Sequence, residues 1–250
     1  MSISAFFIGV HYLFAGFGLI TKPGIKRFVI IPLIINVILF SLLFLVMRYY
    51  IGELSVWLAG YLPTWLQWLS GVVWLLFFIG FFFVFIYAFA AIGGVIVAPF
   101  NGLLAEKVEA YLTGQQPVDR GLLDNIKDVP RVVGRQFSII FYYLPRAFLI
   151  LLLYFVPVVN SFAILAWFLF SAWFLALQYL DFPTDNHRIP VMKVREWLQE
   201  RRAVTWGFGI SLIFVMSIPL VNFFAIPAAA AGAAKFWVEE NRHRTTRRSV

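Results

Sequence analysis

The run Lys26-Arg27-Phe28-Val29-Ile30-Ile31-Pro32-Leu33-Ile34-Ile35-Asn36-Val37-Ile38-Leu39-Phe40-Ser41-Leu42-Leu43-Phe44-Leu45-Val46-Met47-Arg48 decides the architecture. Its middle 20 residues, Phe28 to Met47, carry no charge, and basic residues stand at both ends. A helix needs ~20 apolar residues to cross ~30 Å of hydrocarbon, so residues 28–47 read as a transmembrane helix. Pro32 falls in the early turns, where a missing N–H costs least. The rest of the chain has the same character. Hydrophobic residues make up 62%, where soluble domains run at roughly 45–50%. Charged residues are 13%, about half the usual ~25%. With 29 Phe, 10 Tyr and 9 Trp, the chain holds more aromatic surface than one globular core buries. These values exclude a soluble enzyme, a disordered chain and a disulfide scaffold. They leave an all-α integral membrane protein.

Three further apolar blocks follow. No charge occurs from Leu54 to Ala105. Gly52, Gly60, Pro63, Ser70 and Gly71 interrupt the start of this block, and Trp57, Trp65, Trp68 and Trp74 cluster there, as expected of a turn at a headgroup belt. Residues 72–98 then read as a second transmembrane helix that continues past the bilayer toward Leu112. The third block, Ala147 to Leu180, is split by Pro157, and the fourth, Ala203 to Ala234, by Pro219. Around each split the pattern repeats as Pro157-Val158-Val159-Asn160 and Pro219-Leu220-Val221-Asn222. Pro restricts the residue before it and Asn caps a following helix, so residues 137–180 and 203–234 read as helical hairpins with Pro-x-x-Asn tips. Two Pro-kinked single helices are the alternative. The uncharged arms of the last hairpin have 16 and 13 residues, below the ~17 needed to span, so it dips in and returns. The Pro157 hairpin is ambiguous, because its first arm reaches Gln136 only by taking in Arg146. Residues 1–21 read as an interfacial helix or one packed on the bundle, with a third crossing as the alternative.

Charge sets the orientation. Of 20 Lys and Arg residues only Arg48 lies between the two spans, and the other 19 lie before Phe28 or after Ala105. Even-numbered hairpins keep those 19 on one side, which the positive-inside rule names as cytoplasm. Residues 235–250 then form a basic cytoplasmic tail. The net charge of +8 belongs to this asymmetry. The basic residues form no stacked basic–aromatic surface of the kind that binds nucleic acid.

Catalytic chemistry finds little support. There is no cysteine, so no disulfide or thiolate metal site can form. His11, His187 and His243 are far apart, and neither an H-E-x-x-H motif nor a G-x-x-x-x-G-K-[ST] loop occurs. No metal, cofactor or enzyme activity is expected, and a lipid-modifying enzyme would need a nucleophile–base set that cannot be named. Three polar clusters remain. Lys22-Pro23-Gly24-Ile25-Lys26-Arg27 precedes a helix start, where free N–H groups, glycine and two cations suit an anion. The same residues could instead only fix topology. The second cluster is Pro99–Glu109, holding Asn101 and Glu106. The third, Gln178–Arg188, holds Asp181, Asp185 and His187. With Arg146, these are the candidates for a pore or its mouth.

At these clusters the chain resembles the CysZ family of bacterial inner-membrane sulfate permeases. The resemblance rests on Lys22–Asn36 (K-P-G-I-K-R-F-V-I-I-P-L-I-I-N), Pro99–Glu109, Tyr179–His187 (Y-L-D-F-P-T-D-N-H) and the paired Pro-x-x-Asn tips. It implies two long transmembrane helices with two partly inserted hairpins, assembled as a homo-oligomer in contact with membrane lipids. It implies sulfate uptake for cysteine biosynthesis, with sulfite and related oxyanions as further candidates, and no coupled cofactor. It also implies a sulfate site at Gly24, Ile25, Lys26 and Arg27. The first basic position is often Arg in the family and is Lys26 here, which removes a planar donor fork but keeps the charge. Glu106 matches an acidic position near the family's pore. Sulfate has no proton to donate at neutral pH, so a site built only of donors suits it. A membrane-shaping hairpin protein without transport activity is the reading from a different class.

Overall fold

The computed structural model describes residues 2–61, 63, 65, 67–115, 122–157 and 159–248. Among these the elements are helical: α1 (Ile3–Ile20), α2 (Arg27–Tyr61), α3 (Gln67–Thr113), α4 (Leu122–Leu153), α5 (Asn160–Asn186), α6 (Val191–Glu200), α7 (Arg202–Met216) and α8 (Pro219–Arg248). Five of them are long and apolar enough to cross a membrane: Ile3–Ile20, Arg27–Leu54, Gly134–Leu153, Asn160–Asn186 and Pro219–Asn241. The chain divides into two compact units, Arg27–Phe100 and the remainder.

In the first unit α2 runs through Arg48 and Glu53 without a break and has 35 residues. The charges that bound the expected span therefore do not end the helix. Intrahelical hydrogen bonding continues wherever backbone partners exist, in lipid or in water. Its apolar residues Ile34, Val37, Ile38, Leu42, Phe44 and Leu45 are all more than half exposed. A continuous apolar face of this size requires lipid or protein against it. α3 carries on from the Trp-rich region to Thr113 as one helix. The expected turn over residues 54–71 is shorter than the sequence suggested, because α2 extends to Tyr61 and α3 starts at Gln67. Residues 62, 64 and 66 of that turn, Val158 at the Pro157 tip and the tail residues 249–250 lie outside the described residues.

The second unit is built on close packing of small residues. α1 packs on α7 and α8, and α5 packs on α4, α7 and α8. Where α1 meets α7, a Cβ placed on Gly9 would collide with the Val204 carbonyl, and one on Gly207 with the Phe6 carbonyl. Where α1 meets α8, a Cβ on Gly16 would strike the Ala228 carbonyl. Gly209 meets Ala172 of α5 in the same way. The alanines Ala228, Ala229, Ala230, Ala231, Ala233 and Ala234 of α8 are fully buried. Small residues let backbones approach, which is how helices associate when lipid is as apolar as their side chains. The packed end is sealed by Tyr12 stacked on Phe236 at 5.0 Å. There Glu240 accepts from the Tyr12 hydroxyl at 3.4 Å and from Arg201 Nε at 3.1 Å. Gly9→Val is expected to lower the melting temperature of the detergent-purified protein sharply, because backbone cannot move aside for Cβ and overpacking costs ~1–3 kcal/mol or more. Gly18→Val is the control, since nothing lies within 4 Å of a Cβ there. Equal melting of the two variants would contradict this packing.

The Pro-x-x-Asn segments behave differently from one another. α5 begins at Asn160 with Val159 as its N-cap and no side-chain cap. At the second segment Pro219 itself opens α8, and Asn222 lies within the first turn, its N–H bonded to the Ile218 carbonyl. Neither Asn caps its helix. The fixed φ of Pro219 is pre-organised for the first helical position, which removes the need for an Asn cap. α8 also continues as helix through the basic tail to Arg248.

Candidate functional site

The polar residues of the second unit gather where α5 ends. Asp181 and Asp185 sit one turn apart on α5, and Arg131 and Arg135 sit one turn apart on α4. The equal spacing lets the two pairs mesh side by side. Arg135 donates from Nε to both Asp181 oxygens at 2.9 Å and from a terminal nitrogen to Oδ1 at 2.7 Å. Its other terminal nitrogen donates to the Ile189 carbonyl at 2.6 Å. Arg131 pairs with Asp185, and Arg135 Nε also lies 3.3 Å from Asp185 Oδ1. The Asp181 side chain is 4% exposed and that of Arg135 is 9%. A carboxylate this buried requires a partner and further donors, and the fork of Arg135 supplies both. Thr184, fully buried, donates to the Leu180 and Asp181 carbonyls.

Two further contacts tie the α5 terminus to α3. Asn186 Nδ2 donates to the Gly102 carbonyl at 3.0 Å, and His187 Nε2 meets the Glu109 carboxylate at 2.8 Å. The His187 ring lies 5.6 Å from Trp237 of α8, which in turn meets Trp197 of α6. The α5 end therefore gathers α3, α4, α6 and α8 around one polar knot.

Of the residues the sequence singled out, Asp181, Asp185 and His187 meet in this knot. Asn101 is buried beside Gly102, and Glu106 is half-buried with no hydrogen bond or ion pair among the described residues. Arg146 stands apart, over the Tyr142 ring. Arg131 and Arg135 were missed. Their four-residue spacing, matched to that of Asp181 and Asp185, was the available signal. No group of acids and histidines among the described residues could hold a metal ion.

The basic turn lies between α1 and α2. Gly24 has φ +83°, a conformation that favours glycine, and space around its Cα is open. The N–H groups of Ile25 and Lys26 both donate to the Lys22 carbonyl at 3.1 Å. Two amides that the sequence offered to an anion are thus engaged within the turn. The Ile25 side chain is buried, whereas Lys22, Lys26 and Arg27 are exposed. None of these three cations has an acidic partner among the described residues. In the unit that holds α1, Lys22 and Lys26 present two charges with donors and no acidic partner among the described residues.

Comparison with known proteins adds independent information. A family model described as "Sulfate transporter CysZ/Etoposide-induced protein 2.4" matches residues 12–227. The sulfate transporter CysZ of Pectobacterium atrosepticum is 43% identical over 236 residues, covering 94% of this chain and 86% of the relative.

Proposed function

The chain belongs to the family of sulfate transporter CysZ and etoposide-induced protein 2.4, and from that premise we propose that it carries sulfate across the bacterial inner membrane to supply cysteine biosynthesis. It is a multi-pass membrane protein and a transporter, not an enzyme. The observation that carries the reading is the 43% identity to a named sulfate transporter across nearly the whole chain. The site we assign to sulfate is the turn of Gly24, Ile25, Lys26 and Arg27. A dianion without a proton to donate is best held by donors alone. Asn101, Glu106, Asp181, Asp185 and His187 are assigned to the cytoplasmic mouth, with sulfite and related oxyanions as further substrates. Conduction is passive in this reading, through several weak sites in series.

We also assign partial insertion to α7. α7 has 15 residues, about 22 Å at ~1.5 Å per residue, short of the ~30 Å hydrocarbon core. The exposed apolar face of α2 is assigned to lipid and to further copies of the chain in a homo-oligomer.

The test is uptake of labelled sulfate by liposomes containing the purified protein. Uptake down a sulfate gradient, well above that of empty liposomes and unchanged by an imposed proton gradient, is expected. Uptake equal to empty liposomes would overturn the reading. Orientation has its own test, since the chain lacks cysteine. Tyr61→Cys, at the end of α2, should react with an impermeant thiol reagent outside intact cells. Met192→Cys, exposed on α6, should not. Equal outside labelling of both would refute the assigned sidedness.

A further inference from the structure

Two arginines converge on one tyrosine in the second unit. The guanidinium carbon of Arg146 lies 4.0 Å from the Tyr142 ring centroid and that of Arg195 lies 3.9 Å from it. Their separation is therefore at most about 8 Å. Two like charges held this close repel one another unless something offsets them. No ion pair to either of them occurs among the described residues. Arg146 donates to the Tyr142 carbonyl at 2.8 Å and has no ion pair among the described residues. Arg195 has neither a hydrogen bond nor an ion pair among them, and its Nε is buried without an acceptor. The Tyr142 hydroxyl is likewise without a partner among them. A buried N–H left without an acceptor in a native protein points to an ion or water absent from the protein atoms.

The position of the pair indicates its environment. Arg146 is the sole charge between Gln136 and Leu180. Its side chain turns back by one helical turn to the carbonyl of Tyr142, as a long cation does when it reaches from hydrocarbon toward the headgroups. Arg195 approaches from α6, which carries Lys193, Arg195, Glu196 and Glu200 in ten residues. Around them on α4, Phe141, Leu144 and Phe148 are exposed. The pair thus sits at a boundary between apolar and polar surface.

We propose that Arg146, Arg195 and the Tyr142 hydroxyl form a binding site for a tetrahedral oxyanion, supplied either as the phosphate of a membrane phospholipid or as sulfate in passage. Each guanidinium fork can donate to an edge of such an anion at N···O distances of ~2.7–2.9 Å. The Tyr142 hydroxyl supplies another donor. All three groups donate, so an unprotonated oxyanion satisfies them together. The sulfate source rests on the transport reading above, whereas the phospholipid source does not.

The experiment compares the purified full-length protein with Arg146→Gln/Arg195→Gln. In one arm, native mass spectrometry follows retention of added dioleoylphosphatidylglycerol. In the other, binding of labelled sulfate is measured without added lipid and in a Lys26→Ala/Arg27→Ala background, so that the basic turn is silent. Binding about tenfold weaker or more is expected in one arm, and that arm identifies the source. Arg146→Lys/Arg195→Lys keeps the charge and loses the forks, so an intermediate loss is expected. Tyr142→Phe keeps the ring and removes the hydroxyl, so a smaller loss is expected. These two carry the test if the Gln pair does not fold. Wild-type affinity in both arms, from variants that melt as wild type does, would overturn the site. A wild-type protein that retains phospholipid through these arginines yet moves no sulfate would refute the transport reading and leave the site standing.

Discussion

Replacing Lys26 and Arg27 together by alanine is expected to weaken sulfate binding by roughly two to four orders of magnitude, with a parallel fall in flux at low sulfate. Each charge-assisted hydrogen bond is worth about 1.5–3 kcal/mol, and each ~1.4 kcal/mol is a decade. The structure makes side chains the carriers of the effect. The Ile25 and Lys26 amides donate to the Lys22 carbonyl, so they are not free to replace lost side-chain donors. Because Lys26 and Arg27 are exposed and have no acidic partner among the described residues, removing them leaves no orphaned carboxylate. Folding should therefore be preserved, and the loss can be read as a binding effect.

The neighbouring variants separate charge from geometry. Lys22→Ala, whose carbonyl still closes the turn, should matter less. Arg27→Lys keeps the charge and loses the planar fork, so an intermediate loss is expected. Gly24→Ala should weaken binding without removing any donor, because φ +83° strains a residue with a Cβ. Isothermal titration of the detergent-purified protein and liposome flux measure all four. If the double variant binds and conducts sulfate like wild type, Lys26 and Arg27 serve only to orient the chain in the membrane.

How much of this was legible in the sequence depended on the range of the interaction. α1 is bounded as its apolar run is, from Ile3 to Ile20. α2 is not, because flanking charge marks where lipid ends and says nothing about where backbone hydrogen bonding ends. The Pro-x-x-Asn tips suggest Asn caps by a local rule, but α8 starts at Pro219 and not at its Asn. Nothing local in the sequence gives Gly9 and Gly16 a reason. The reason is the backbones of Val204 and Ala228, about two hundred residues away. The α5 knot shows the same division. Asp181, Asp185 and His187 were visible as a dense polar run. Arg131 and Arg135, 54 and 46 residues distant from the aspartates they bind, were masked by the many charges around them.

That knot carries the largest expected effect on stability. Arg135→Met is expected to destabilise the protein by about 3–5 kcal/mol, because it leaves a buried carboxylate without its counter-charge. Asp181 is 2% exposed, and Arg135 is the group that holds both of its oxygens. Met fills much of the same space, so the loss reports charge more than volume. Arg131→Met should cost less. Its side chain is 33% exposed, water screens the pair it makes, and Arg135 remains near Asp185. The double variant Arg135→Met/Asp181→Leu should recover much of the loss, since apolar groups of similar size can replace a buried ion pair at little net cost. Tryptophan-monitored melting in detergent measures all three. The consequences should reach the α3 segment, because Asn186 and His187 follow Asp185 directly and hold Gly102 and Glu109. Once the end of α5 is released, both contacts are expected to go with it, and sulfate flux should fall although no residue of the basic turn has changed. The rescued double variant should regain melting temperature and flux together. Recovery of the melting temperature alone would mean that the Arg135–Asp181 pair itself takes part in conduction, and wild-type melting of Arg135→Met would mean that Asp181 is not ionised in the folded protein.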